Sequence, residues 1–317
     1  MAANNSIHVA AGILRDERGH ILLAQRPSGK HLAGLWEFPG GKCEPGESGA
    51  TALRRELAEE LGIQTGTIEP LIAVPWRYPE KSVLLDVFEV HDWRGEADGR
   101  EGQALRWVAP AELSSLPMPE ADRPVIAALR LPRHYIITPE PDADGAAFLR
   151  RLAHVLANNG KCIQLRSKQL SPTALRLLAQ AALELAHGAD AQLLLNGHAD
   201  LVQELALDGV HLPATDLMRC RARPLPADRW VAASCHDAHE LAHAAMIGVD
   251  FVVLGPVLPT ASHPQAAPLG WQRFAELVAA APMPVYALGG VGPADLMAAK
   301  RAGAQGVAGI SAFWPGS

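Results

Sequence analysis

Three carboxylates, Glu56, Glu59 and Glu60, stand at i, i+3 and i+4 in the stretch GKCEPGESGATALRRELAEELGI, residues 41–63. On a helix that spacing puts them on one face within about one turn. A face so dense in negative charge repels itself unless a cation joins it. Hard oxygen donors suit Mg²⁺, with Mn²⁺ as the alternative, because these ions take few carboxylates and keep water and substrate phosphates in their other positions. The flanking residues frame a helix for this face. Pro45-Gly46-Glu47 closes an acidic loop, Ser48 stands where an N-cap belongs and Gly62 where a helix stops, so a helix is predicted from about Ser48 to Leu61. Ala52, Leu53, Leu57 and Leu61 form the opposite stripe, apolar and able to pack on a sheet.

The elements that must carry this helix are legible upstream. HVAAGILRDERGHILLAQR reads as two apolar runs joined by a turn at Asp16 to Gly19, a β-hairpin with Arg26 at its end, and implies a mixed sheet. The chain has 317 residues, 49% of them hydrophobic, which favours two domains. A Pro-rich stretch, LPMPEADRP, and a short helix precede a new start near Pro132, so the predicted domains are residues 1–131 and 132–317. Beyond that boundary HYIIT, CIQLRS, QLLLN, GVHL, WVAAS, FVVLGPV, PVYALGG and GVAGIS alternate with Ala/Leu-rich helical stretches. Eight such strands predict a (β/α)8 barrel whose last helix is missing, and the whole chain is α/β.

The 41–63 stretch fits G-x5-E-x7-R-E-U-x-E-E-x-G-U, with U aliphatic, and so resembles the Nudix box of pyrophosphohydrolases. The resemblance implies an α/β/α sandwich in which the carbonyl of Gly40 and the carboxylates of Glu56, Glu59 and Glu60 ligate metal, while Arg55 and Glu47 brace the loop against the helix. LWEFPGGK, GREGQ (99–103) and PEADRPVI (119–126) extend the likeness to MutT-type 8-oxo-dGTP diphosphatases. That likeness implies Glu101 as a further metal ligand and Arg26, Phe38 and Asp122 as the lining of a nucleoside pocket. The implied reaction is metal-assisted attack of water on a diphosphate phosphorus, giving nucleoside monophosphate and pyrophosphate and cleansing the nucleotide pool. Asp122 departs from the bacterial MutT pattern, which carries Asn there.

The second half resembles thiamine phosphate synthase and its relative, the thiazole tautomerase. The matching pieces are Gln164 to Lys168, Asn196, Asp208 to Leu212, Ser234-Cys235-His236, Gly255-Pro256 with Thr260, Gly289-Gly290, and Gly309 with Ser311. By resemblance Arg166 and Lys168 hold pyrophosphate, Gly290 and the backbone near Gly309 and Ser311 cradle a phosphate, and His236 occupies the tautomerase's acid/base position. Departures are equally specific. Gly197 replaces the Asp of an Asn-Asp pair, leaving Asp216 as one Mg²⁺ carboxylate of two; Pro213-Ala214 replaces Gly-Gln; and Thr260-Ala261-Ser262-His263 lacks the Lys of the synthases. Poor synthase activity is therefore expected. Two other readings stand beside a nucleotide hydrolase with a degenerate barrel: a hydrolase of thiamine-type pyrophosphates, and a thiamine-pathway enzyme or sensor acting through the barrel.

Bulk properties narrow the partners. Net charge is −6 without a basic cluster, which argues against nucleic acid and for a free small-molecule nucleotide. No apolar run approaches membrane-spanning length and no leader pattern begins the chain, so no membrane partner is expected and a cytoplasmic location fits. Cys43, Cys162, Cys220 and Cys235 are scattered and read as reduced thiols.

Overall fold

The computed structural model describes residues 6–29, 32–141, 145–260, 265 and 267–314. The chain divides into two compact units, Met1–Arg130 and Leu131–Ser317. In the first unit a mixed sheet runs β4(Gly40–Lys42), β1(Ile7–Leu14), β7(Ser82–Val90), β6(Ile68–Arg77), with β1 and β7 parallel and the other pairs antiparallel. A second sheet orders β3(Trp36–Glu37), β2(Ile21–Gln25) and β9(Leu105–Val108), and a two-residue pair joins β5(Gln64–Thr65) to β8(Trp93–Arg94).

Strand alternation explains the layering. Along β1, Ala10 and Leu14 face helix α1(Gly49–Leu61) in one core with Ala52, Leu53, Leu57 and Leu61. Ala11 and Ile13 face the opposite way, into a core with Val125, Ile126 and Ala128 of α2(Arg123–Arg130). The sheet is thus a floor between two helices, as a period of two residues requires.

One expectation is corrected. β1 and β2 do not form a regular two-stranded hairpin; they meet at a single bridge, Arg15 to Ile21, and continue into different sheets. The turn itself is well made, since the Asp16 carboxylate accepts from the N–H groups of Arg18 and His20. β1 instead pairs with β4 and β7, which places the residues before α1 on the central sheet.

The second unit is a closed parallel barrel of β10(His134–Ile137), β11(Cys162–Leu165), β12(Gln192–Asn196), β13(Gly209–Leu212), β14(Trp230–Cys235), β15(Phe251–Leu254), β16(Val285–Leu288) and β17(Gly306–Gly309). Helices α3(Gly145–Ala157), α4(Pro172–Gly188), α5(Ala199–Glu204), α6(Ala214–Leu217), α7(Ala238–Ile247), α8(Gly270–Ala279) and α9(Leu296–Arg301) fill the connections. Tyr135, Phe251 and Tyr286 pack together inside, with ring centroids 5.1 to 5.8 Å apart. Gly209 admits its neighbour Trp230, because a Cβ there would lie 2.6 Å from the Trp230 Cβ.

No helix follows β17 among the described residues, yet β10 and β17 pair over His134 to Ile136. A turn closed by the Phe313 and Trp314 N–H groups on the Ile310 carbonyl stands in for the helix. Trp314 is 3% exposed and packs against Phe148 of α3, with centroids 5.3 Å apart, while Phe313 lies against His134. Truncating a buried Trp removes its burial and leaves a cavity, so Trp314→Ala should destabilise the barrel by about 3–5 kcal/mol. Urea unfolding followed on the barrel transition checks this. A loss under about 1 kcal/mol would mean that the turn does not hold the seam.

Candidate active site

The acidic helix is built as its sequence dictates. The Ser48 hydroxyl accepts from the Thr51 N–H, and Gly62 ends α1 in the left-handed region at φ 70°. Arg55 is the hub of the surrounding charge. Its Nε and Nη2 donate to the two oxygens of Glu47 at 3.2 and 2.9 Å, Nη1 donates to Glu56 at 2.8 Å and Glu59 at 3.3 Å, and Nη2 also reaches the Lys42 carbonyl at 3.0 Å. Glu47 in turn accepts from the Glu44 N–H at 2.9 Å, closing the acidic loop on itself. The hydrogen bond from Arg55, with that of Glu44, holds the Glu47 carboxyl below the usual carboxylate range. Glu47 and Glu56 raise the guanidinium further still.

Glu56 lies over the main chain of Gly41, where a Cβ would stand 2.3 Å from its carboxylate carbon. Gly40, at φ 149°, sits on β4 opposite Ala11, and a Cβ there would meet the Ala10 carbonyl at 2.1 Å. Gly40 is therefore a steric necessity of the approach between turn and sheet, whereas at Gly41 the contact is the end of a flexible side chain. The loop carrying Glu101 is fastened to the end of α1: the Arg100 N–H and the Gln103 side-chain amide both donate to the Glu60 carbonyl, at 3.0 and 3.2 Å. Glu101 is exposed there, its own N–H bonded to Gln103.

Among the described residues no group of three or more His, Cys, Asp or Glu side chains converges as a ready-made metal cage. On that face Arg55 pairs with Glu56 and Glu59. The donor set still fits a hard divalent ion. Glu56 and Glu59 supply hard carboxylate oxygens, and one guanidinium is shared among Glu47, Glu56 and Glu59.

A second polar group surrounds the residues expected to line a nucleoside pocket. Arg26 forms an ion pair with Glu37. Asp122 is 4% exposed; burial foremost, and then the charge of Glu37, push its carboxyl well above the usual carboxylate range against the pull of Arg26. Burial likewise raises the Tyr78 phenol, which is bonded to the main chain of Ala121 and lies within the field of Asp122. Phe38 is 4% exposed and belongs to the apolar core with Ile13, Leu23 and Val125. Glu37 and Tyr78 escaped the sequence reading. For Glu37 a signal existed: it precedes Phe38 in an extended segment, so when one faces the core the other faces Arg26.

In the barrel, Arg166, Lys168, Asn196, His236, Gly290 and Ser311 lie at or just beyond the C-terminal ends of strands, whereas Asp208 precedes β13 and accepts from the Leu193 N–H near the start of β12. The Thr138 hydroxyl accepts from the Arg166 main-chain N–H at 3.0 Å, and the buried Gln164 side-chain amide donates to Oδ1 of the Asn196 side chain at 3.0 Å. Glu140 accepts from Ser167, Lys168 and Gln169. His236 is exposed, its Nδ1 2.9 Å from Glu240. Behind it His211 is fully buried, Nδ1 3.1 Å from the Tyr135 hydroxyl and Nε2 2.8 Å from that of Ser234, and burial pushes it down to about 3. Gly290 has φ 68° and is exposed, as is Ser311. Asp216 sits beyond Gly197, 3.9 Å from Arg219, without a second carboxylate in the position of Gly197. Thr260 is half-buried, whereas Ala261, Ser262 and His263 lie outside the described residues. The partners Glu140 and Glu240 carried no recognisable sequence signal.

No helix among the described residues is long and apolar enough to cross a membrane. Comparison with known proteins follows the division into units. Residues 10–128 match the NUDIX domain family and residues 134–313 the thiamine monophosphate synthase family. The chain is 41% identical over 131 residues to an 8-oxo-dGTP diphosphatase of Haemophilus influenzae, covering 41% of this chain and 96% of that one. It is 45% identical over 120 residues to a CTP pyrophosphohydrolase of Escherichia coli, covering 38% and 87%. Over 185 residues it is 34% identical to a putative thiamine-phosphate synthase of Aquifex aeolicus, covering 58% and 99%. With the box locked around Arg55 in one unit and a closed eight-stranded barrel in the other, the chain belongs to the Nudix family through its first unit and to the thiamine monophosphate synthase family through its second.

Proposed function

We propose that the first unit is a Mg²⁺-dependent pyrophosphohydrolase that acts in the cytoplasm on 8-oxo-dGTP, yielding the monophosphate and pyrophosphate, and so sanitises the nucleotide pool that supplies DNA synthesis. The observation that carries this reading is the acidic face of α1 gathered by Arg55, in a unit that also buries Asp122 within the field of the Arg26–Glu37 ion pair. Gly40, Glu56, Glu59, Glu60 and Glu101 would hold the metal, which supplies positive charge to the diphosphate and makes bound water easier to deprotonate. Arg55 and Glu47 keep loop and helix in register for those ligands.

Base choice falls to Arg26, Phe38 and Asp122, together with Glu37. A carboxyl group that keeps its proton both donates and accepts. Such a group matches a base edge with an acceptor beside a donor, which 8-oxoguanine presents as O6 and N7–H. Guanine offers two acceptors there, so it leaves the carbonyl oxygen of Asp122 facing a lone pair. Cytosine presents N3 and N4–H₂, an acceptor and a donor again. The buried Asp122 carboxyl, with the likeness to a CTP pyrophosphohydrolase, therefore supports a cytidine nucleotide as the second reading.

For the barrel we infer an anion-binding role, with Arg166, Lys168, Asn196, His236, Gly290 and Ser311 as ligand residues and without effective synthase activity, since Gly197 removes one carboxylate of the metal pair.

Mg²⁺-dependent turnover, read as pyrophosphate release from the triphosphates and as phosphate release from thiamine pyrophosphate, should be strongest with 8-oxo-dGTP in a panel that also holds dGTP, CTP and thiamine pyrophosphate. Preference for CTP would establish the second reading, and preference for thiamine pyrophosphate would replace both. Glu56→Gln should lower kcat on the order of a hundredfold or more while nucleotide still binds; an active variant would overturn the metal-site assignment. Asp122→Ala should erase discrimination between 8-oxo-dGTP and dGTP while turnover persists. Because the acid form does the recognising and its pKa is raised, discrimination in the native enzyme should fall as pH rises through that pKa. A selectivity ratio flat with pH would remove Asp122 from base choice.

A further inference from the structure

At the mouth of the barrel three donors converge on one side chain. The Ser167 hydroxyl lies 2.6 Å from Glu140 Oε1, the Lys168 N–H 2.9 and 2.8 Å from its two oxygens, and the Gln169 N–H 3.0 Å from Oε1. Successive main-chain N–H groups aimed at one anion make a nest, a geometry that receives phosphates as readily as carboxylates. The charge of Arg166 also acts on Glu140; burial opposes its ionisation, but the donors and Arg166 together hold the carboxyl below the usual range.

We propose that Ser167, Lys168 and Gln169 form a receptor for a phosphate-class anion, and that the Glu140 carboxylate is its built-in occupant, which an incoming phosphate or pyrophosphate must displace. This rests on the anion-binding reading of the barrel mouth. Three observations favour an occupant over a mere structural tie. Helix α4 does not use these donors, since Ser171 caps it by accepting from the Ala174 N–H. Lys168 and Gln169 are exposed, so water can satisfy their N–H groups when Glu140 leaves. The charge of Arg166 already acts on Glu140, and a phosphate brings more charge and more acceptor oxygens than a carboxylate to the same donors.

A tethered occupant lowers apparent affinity by the fraction of time that it leaves the nest open. If Glu140 fills the nest about nine-tenths of the time, an external anion binds about tenfold more weakly than it would to the emptied nest. The test is calorimetric titration of inorganic pyrophosphate into the full chain without divalent cations, using the native protein, Glu140→Ala, Glu140→Gln, Arg166→Ala and the Glu140→Ala/Arg166→Ala double variant. Glu140→Gln keeps an acceptor oxygen and tests the charge if the Ala variant unfolds.

Roughly tenfold tighter binding in either Glu140 variant, lost in the double variant, is the expected result. Equal or weaker binding in the Glu140 variants, with a native affinity that still depends on Arg166, would overturn the occupant and leave the anion site standing. Absence of Arg166-dependent binding in every variant would overturn the anion site and the occupant together.

Discussion

Three carboxylates, Glu47, Glu56 and Glu59, from one short loop and the helix after it, stay together because Arg55 lies among them. A Lys in its place would bring one point charge. The planar guanidinium brings five donors, pairs with both oxygens of Glu47, and still reaches Glu56, Glu59 and the Lys42 carbonyl. This arrangement fastens the loop after the glycine-rich turn to the helix, while Gly40 is required independently by the close approach of the Ala10 carbonyl on β1. It also keeps the acidic face poised: the carboxylates are assembled, but they are compensated by a single internal cation that a divalent ion could share or relieve.

The apolar framework makes that precision affordable. Alternate residues of β1 serve two separate cores, so α1 is seated on a floor that α2 supports from the other side. In the barrel unit the same alternation sends Ile136, Ile163 and Val307 outward to the helices and Tyr135, Phe251 and Tyr286 inward. Closure does not require an eighth helix, because what β10 and β17 need on their outer face is apolar cover, and Trp314 with Phe313 provides it.

Polar groups inside the barrel are handled by pairing. His211 is kept neutral by burial and is bonded at both nitrogens, to Tyr135 and to Ser234, so it imposes no buried charge. Toward the mouth the groups become ionic and partly exposed: Glu140 with the Ser167 segment, and His236 with Glu240. The gradient from neutral and dry to charged and wet leaves the barrel with one ionic, partly exposed end.

Much of this was legible in the residues themselves. The α1 helix carries its own start and stop in Ser48 and Gly62, and its function is written at helical spacing, so local rules sufficed. The eight barrel strands announced themselves as short apolar runs between helical stretches, since strands covered on both faces cannot be polar. The sequence by itself therefore determined both folds and the acidic helix face. Only tertiary structure decided that β1 leaves its hairpin partner for the central sheet, that Glu37 answers Arg26, that Asp122 is buried beside them, and that Glu140 enters the Ser167 nest. The physical reason is range: caps, periodicity and turn chemistry act over a few residues, whereas these pairings join residues far apart along the chain, and their electrostatics depend on a burial that no local pattern encodes.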